Sequence, residues 1–89
     1  VTHMSTYGKR LREERLRLSL TQQQMALAGG IGRNAQSLYE RDLSLPRADY
    51  LALITLLGTD VLYILNGRHT LYRSPSVIVP TGNGQLTKN

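Results

Sequence analysis

The sequence predicts an all-α fold: one domain of five short helices followed by a short extended C-terminal segment. Three observations predict it. Apolar residues recur at helical spacing, as in Tyr7, Leu11 and Leu18, and again in Leu51, Ile54 and Leu57. That pattern is broken at Gly29-Gly30, Pro46, Gly58 and Asn66-Gly67, residues that stop or turn helices. Strand-like composition is confined to Val77, Ile78 and Val79, enclosed by Pro75 and Pro80. At 89 residues the chain holds one domain and not two. Residues 1–68 are assigned to it, and residues 69–89 to an extended arm or tail.

The first helix is predicted over residues 6–18. Tyr7, Leu11 and Leu18 make its apolar face, and Lys9, Arg10, Arg12, Glu13 and Arg17 occupy the remainder. Thr21 suits the N-cap of the second helix, and Gln24 three residues later completes a capping box. This helix covers 22–28 and stops at Gly29-Gly30. The third starts at Gly32 or Arg33, carries Ala35, Leu38 and Tyr39 toward the core, and ends near Arg41 or Asp42. Leu43 to Pro46 is a loop, because proline has no N–H for a helix to use. The fourth is predicted over 47–57, with Leu51, Ile54 and Leu57 inward, and ends at Gly58. Thr59 is expected to cap the fifth, with Asp60 in its first turn suiting the helix dipole. Val61, Leu62 and Leu65 are expected to face inward, and Asn66-Gly67 to end the helix.

The stretch from Gln22 to Tyr39 carries the most information about function. Ala26 follows Gln22 by four residues, Gly30 follows Ala26 by four, and Ile31 comes next. A small Ala lets two helix backbones approach, and a Gly suits a turn that needs positive φ. The pattern predicts a helix-turn-helix, the motif that sets its second helix in the DNA major groove.

Composition narrows the classes further. Eleven Lys and Arg against six Asp and Glu give a formal net charge of +5, with a pI of about 10.1. Such a balance favours a polyanionic partner. With no cysteine, disulfides and thiolate zinc sites are excluded, and His3 and His69 cannot hold a structural zinc alone. The apolar runs are too short for a membrane span, and no secretory apolar region stands near the N-terminus. Gly29-Gly30-Ile31-Gly32 lacks the lysine and preceding strand of a phosphate loop. Neither histidine has a catalytic partner at useful spacing. No enzyme activity, cofactor, metal or membrane partner is expected.

Gln22, Met25-Ala26, Gly30-Ile31 and Tyr39-Glu40-Arg41, with Pro46 soon after, resemble phage-repressor helix-turn-helix domains of the lambda repressor and Cro type. The likeness covers about residues 7–67. Its last part, Gly58-Thr59-Asp60-Val61-Leu62-Tyr63-Ile64-Leu65-Asn66-Gly67, is similar to the fifth helix of that fold. Each mark alone is weak; their joint spacing is specific. The resemblance implies a compact five-helix lambda-repressor-like domain in the bacterial cytoplasm, at the nucleoid. Two positions depart from it. Gln36 stands where the family packs a β-branched apolar residue, and a buried Gln without partners costs roughly 1–3 kcal/mol. Gln36 therefore either bonds locally or marks a slightly rotated third helix. Gly32 replaces the usual hydroxyl cap and contributes no side-chain phosphate contact.

The resemblance implies that Gln22 bonds a DNA phosphate and braces the recognition helix, at a helix N-terminus where anions are favoured. Arg33, Asn34 and Ser37 form the outward N-terminal face of the third helix. Arg can grip guanine O6 and N7, and Asn can grip adenine N6 and N7; the competing role is a solvated stripe of an amphipathic helix. Leu38 either packs or meets a thymine methyl. Gln36 either reads a base or lies inside. Gly32, Lys9, Arg10, Arg12, Arg41 and Arg47 are candidates for phosphate contacts. The resemblance also implies a partly buried salt bridge between Arg15 and Glu40.

A domain of this kind reads a palindrome as a dimer, so a homodimer on a double-stranded DNA operator is expected. Candidate dimerisation residues are Val61, Tyr63 and Ile64 on the outer face of the fifth helix. Val77, Ile78 and Val79 are a second candidate, as a strand added across a two-fold axis. The leading reading is a sequence-specific prophage-type repressor. Two others stay open: the DNA-binding piece of a longer repressor, and an antitoxin-type module that binds a partner protein.

Overall fold

The computed structural model describes residues 5–70. These form α1 (Tyr7–Arg17), α2 (Gln22–Ala28), α3 (Arg33–Glu40), α4 (Ala48–Ile54) and α5 (Val61–Asn66), with one 3-10 turn, Thr55–Leu57, continuing α4. The Val77, Ile78 and Val79 segment lies outside the described residues, as does His3. Among the described residues, no helix is long and apolar enough to cross a membrane.

Local chemistry starts most of the helices. Thr6 is extended, and its hydroxyl accepts from the Lys9 N–H at 3.1 Å. Thr21 and Gln24 form the reciprocal capping box, at 3.1 and 2.9 Å. Between α2 and α3 the chain turns at Gly30, with φ of +75°, and the Ile31 N–H returns to the Ala26 carbonyl at 2.9 Å. Asp60, rather than Thr59, caps α5: its carboxylate accepts from the Tyr63 N–H at 3.1 Å, while Thr59 sits one place earlier and is buried.

The core gathers Leu11, Met25, Tyr39, Tyr50, Leu51, Ile54 and Ile64, with Leu18, Leu20, Ile31, Leu57 and Val61 packed against it. Its largest buried side chain is Tyr50, whose ring meets Tyr39 edge-on at 5.0 Å. The inward face of α3 is Gln36, Tyr39 and Glu40, whereas Ala35 and Leu38 are half-buried. Tyr7 departs from its predicted inward position and is exposed beside Arg10.

α5 also turns a different face inward. Tyr63 and Ile64 are buried, whereas Leu62 and Leu65 are exposed. Every residue from Val61 to Leu65 is apolar or aromatic, so periodicity cannot choose a face. Packing against α1 chooses it: the Tyr63 hydroxyl donates to Glu13, and the Arg10 guanidinium donates to the Ile64 carbonyl.

α1 and α3 meet at close range. The Gly8 N–H and the Thr6 hydroxyl donate to the Asp42 carboxylate at 2.9 and 2.6 Å. A Cβ on Gly8 would lie 2.5 Å from the Tyr39 carbonyl oxygen and 2.6 Å from that of Glu40. Helix propensity alone favours alanine there by roughly 0.5–1 kcal/mol. Overpacking against backbone costs roughly 1–3 kcal/mol, so it should win. Gly8→Ala should lower the thermal midpoint measured by circular dichroism; a raised midpoint would contradict this close approach.

Candidate nucleic-acid interface

α3 has two chemically different sides. Arg33 and Asn34 are exposed in its first turn, following exposed Gly32, and Ser37 and Leu38 are half-buried next to them. Hydrogen-bonding side chains thus project from a short helix at the surface. Further along the helix the inward positions are Gln36, which is 0% exposed, and Glu40, which is 8% exposed. Gln36 is therefore internal and cannot read a base, contrary to one of its two predicted roles.

Glu40 is held from several directions. The Arg15 guanidinium grips it through Nε at 2.7 Å and Nη2 at 3.0 Å. Gln36 Nε2 donates to it at 2.8 Å, and Gln22 Nε2 at 3.2 Å. Arg15 also donates to the Leu20 carbonyl at 2.9 Å. Burial acts against the Glu40 charge. Hydrogen bonds from Arg15, Gln36 and Gln22, with the charge of Arg15, outweigh burial and hold the carboxyl below its ordinary value. The Gln36 carbonyl oxygen accepts from the Tyr50 hydroxyl at 2.7 Å. Burial pushes the Tyr50 phenol well up, although that bond opposes the shift, so the phenol is a neutral donor. One connected network therefore joins α1, α2, α3 and α4.

A second polar cluster joins α1 to α5. Glu14 is 1% exposed, accepts from Arg17 at 3.0 and 2.8 Å, and takes the Asp60 N–H at 2.8 Å. The hydrogen bond from Arg17 to Glu14 is the main reason its guanidinium pKa is raised. Asp60 also accepts from the Thr70 N–H at 2.9 Å. His69 stacks on Tyr63 with ring centroids 3.9 Å apart.

Glu14, Tyr50 and Asp60 went unnoticed in the sequence as internal polar anchors. Spacing held a signal for two of them. Leu11, Glu14 and Leu18 follow one helical stripe, as do Tyr50, Ile54 and Leu57.

The predicted phosphate contacts divide. Lys9, Arg12 and Arg41 are exposed, and so is Arg47, which pairs with Asp49 at 3.1 Å. Arg10 is 8% exposed and belongs to the interior. Its Nε donates to the Ile64 carbonyl at 2.9 Å, its Nη1 donates to Ser5, and its guanidinium lies 5.5 Å from the Tyr7 ring centre. An arginine spent on the C-terminal end of α5 is not available to a phosphate. Tyr63 and Ile64 likewise cannot form a dimer surface, because the core of the single chain covers them. Val61 is half-buried against that core.

No family model matches the sequence, and no curated protein matches it. Solved structures do. The P22 c2 repressor protein, solved in complex with synthetic operator 9T in the presence of Tl+, aligns with a TM-score of 0.65 and 29% identity. The match covers 73% of this chain and 100% of that one. The DNA-binding domain of the P22 c2 repressor in solution aligns with a TM-score of 0.66 and 26% identity, over 81% of this chain and 96% of that one.

The fold is that of the phage-repressor helix-turn-helix domain. In this repressor-type fold α2 and α3 are the helix-turn-helix pair, and the Glu40 network lies at the inner, C-terminal part of α3, with Arg33 and Asn34 exposed in its first turn.

Glu40→Ala should cost about 3–5 kcal/mol, because it leaves the Arg15 charge buried without its partner. A thermal melt equal to that of the parent would exclude this. The acid limb tests the same site. A carboxyl held low in the folded chain stabilises it above the unfolded value of about 4.3. That stability is lost as pH falls through the lower folded value. Stability of Glu40→Gln should therefore fall less steeply than that of the parent below about pH 4.3.

Proposed function

We propose that this chain is a sequence-specific DNA-binding transcriptional regulator of repressor type, with α3 as the recognition helix. The observation that carries the reading is the two-sided α3. Arg33 and Asn34 project outward from a repressor-type helix-turn-helix whose inner side is locked by Gln36 and Glu40. The likeness to a repressor solved on a synthetic operator supports it. Arg33 and Asn34 act as base readers, with Ser37 and Leu38 at the edge of the same surface. Exposed Lys9, Arg12, Arg41 and Arg47, with Gln22 and the Gly32 backbone, supply contacts to phosphate. Arg10 and Gln36 are excluded from both roles by burial.

The reading includes a homodimer on a palindromic operator, because one recognition helix reads only a half-site. The apolar side chains that α5 leaves outward are Leu62 and Leu65. A binding module fits the buried acids better than an enzyme does. The Glu14 and Glu40 carboxylates tie α1 to the start of α5 and to α3, and the Asp60 carboxylate caps α5 and accepts from Thr70.

Selection from a random duplex library followed by binding titrations tests the reading. The parent should prefer its selected site over random DNA. Arg33→Ala and Asn34→Ala should each lower that preference by about 1–3 kcal/mol, roughly 5- to 150-fold. Uniform weak binding to all duplexes by the parent would refute it. In the same titrations, Arg41→Ala should weaken binding to all sequences alike and reduce the log–log salt slope by about 0.9.

A further inference from the structure

Tyr50 belongs to α4, outside the helix-turn-helix, yet touches both of its helices. Its ring packs against the end of α2, so close that a Cβ on Gly29 would stand 2.3 Å from Tyr50 Cδ1. The same ring meets Tyr39 of α3 edge-on. Its hydroxyl donates to Gln36 Oε1 at 2.7 Å, and the other end of that amide donates to Glu40 at 2.8 Å. Gln36 and Glu40 lie one turn apart on the inner side of α3, so α3 is held at two points by directional bonds.

An apolar pair would fill this volume, at the loss of one of the donors to Glu40. A satisfied buried hydrogen bond adds only modest net stability. What the polar pair adds is direction: a hydrogen bond tolerates little rotation, whereas packed methyl groups slide. Rotating a helix by roughly 10° moves its surface, at a radius of about 5–6 Å, by about 1 Å. That displacement is enough to spoil a bidentate contact to a base edge.

We propose that Tyr50 is a positioning residue for DNA reading. With its ring seated on Gly29 and its hydroxyl on Gln36, it sets the rotation of α3 relative to α2, and so the register in which Arg33 and Asn34 meet the bases. The proposal rests on the reading of α3 as the recognition helix.

Tyr50→Phe keeps the ring and removes the hydroxyl. In the free protein, residual dipolar couplings along α3 should fit a rotated helix, with those of α1 and α5 unchanged. Preference for the selected site over random duplex should fall roughly tenfold, about the loss of one base contact. Affinity for random duplex, set by phosphates, should hold. The double variant Gln36→Leu with Tyr50→Phe replaces the pair by apolar side chains. It should stay folded, because Arg15 and Gln22 still hold Glu40, without regaining preference, and it carries the test if Tyr50→Phe folds poorly. Unchanged α3 couplings overturn the proposal, and so does a folded double variant that matches the parent in preference. A parent with no sequence preference would instead remove the recognition reading, and the couplings of the free protein would still decide whether Tyr50 sets α3.

Discussion

A carboxylate shut away from water needs its charge met inside the protein, and Glu40 meets it with groups from three helices. Arg15 comes from α1, Gln22 from α2 and Gln36 from α3 itself. Each donor is tied to a backbone element that cannot move without breaking the bond. The cost of leaving such a charge unpaired makes the arrangement nearly all-or-none. The helices therefore take up one mutual geometry, and α3 is presented at a defined angle. Tyr50 extends the constraint to α4 through Gln36.

The same logic sorts the positive charges. Arg10, Arg15 and Arg17 are engaged within the fold, on the Ile64 carbonyl, Glu40 and Glu14. They add to the formal charge, but Arg10 holds α1 to α5, Arg15 holds α1 to α3, and Arg17 braces Glu14 within α1. Among the described residues, the field available to an outside polyanion comes from exposed Lys9, Arg12, Arg33, Arg41, Arg47 and Arg68. Net charge thus gives the right sign for the partner while overstating how many cations can meet it.

A chain without Phe, Trp or Cys builds its interior in a particular way. Tyrosine supplies the aromatic volume, and a buried phenol needs a partner. Tyr50 finds Gln36, and Tyr63 finds Glu13. Close backbone approach does the rest: Gly8 lets α1 lie against the end of α3, and Gly29 leaves room for the Tyr50 ring. The core is consequently part apolar and part hydrogen-bonded. Its polar members are also the ones that orient the helices.

Much of this was legible in the sequence, and the physical reason is locality. The Thr21–Gln24 capping box, the turn at Gly30, the stops at Gly58 and Gly67 and the break before Pro46 depend on residues within a few positions of one another. So does the exposure of Arg33 and Asn34 in the first turn of α3. Tertiary structure decided what lies across long separations. Arg10 reads as a surface cation until α5 brings a carbonyl to it from 54 residues away. Gln36 and Leu38 both had two roles open, and the Tyr50 hydroxyl and Glu40 carboxylate settled Gln36 as internal. α5 is apolar along almost its whole length, so only the neighbouring surface of α1 determined that Tyr63 and Ile64, not Leu62 and Leu65, turn inward. Local hydrogen bonding and backbone sterics are written in adjacent residues; whether a polar or ambiguous side chain is buried depends on which distant group arrives to meet it.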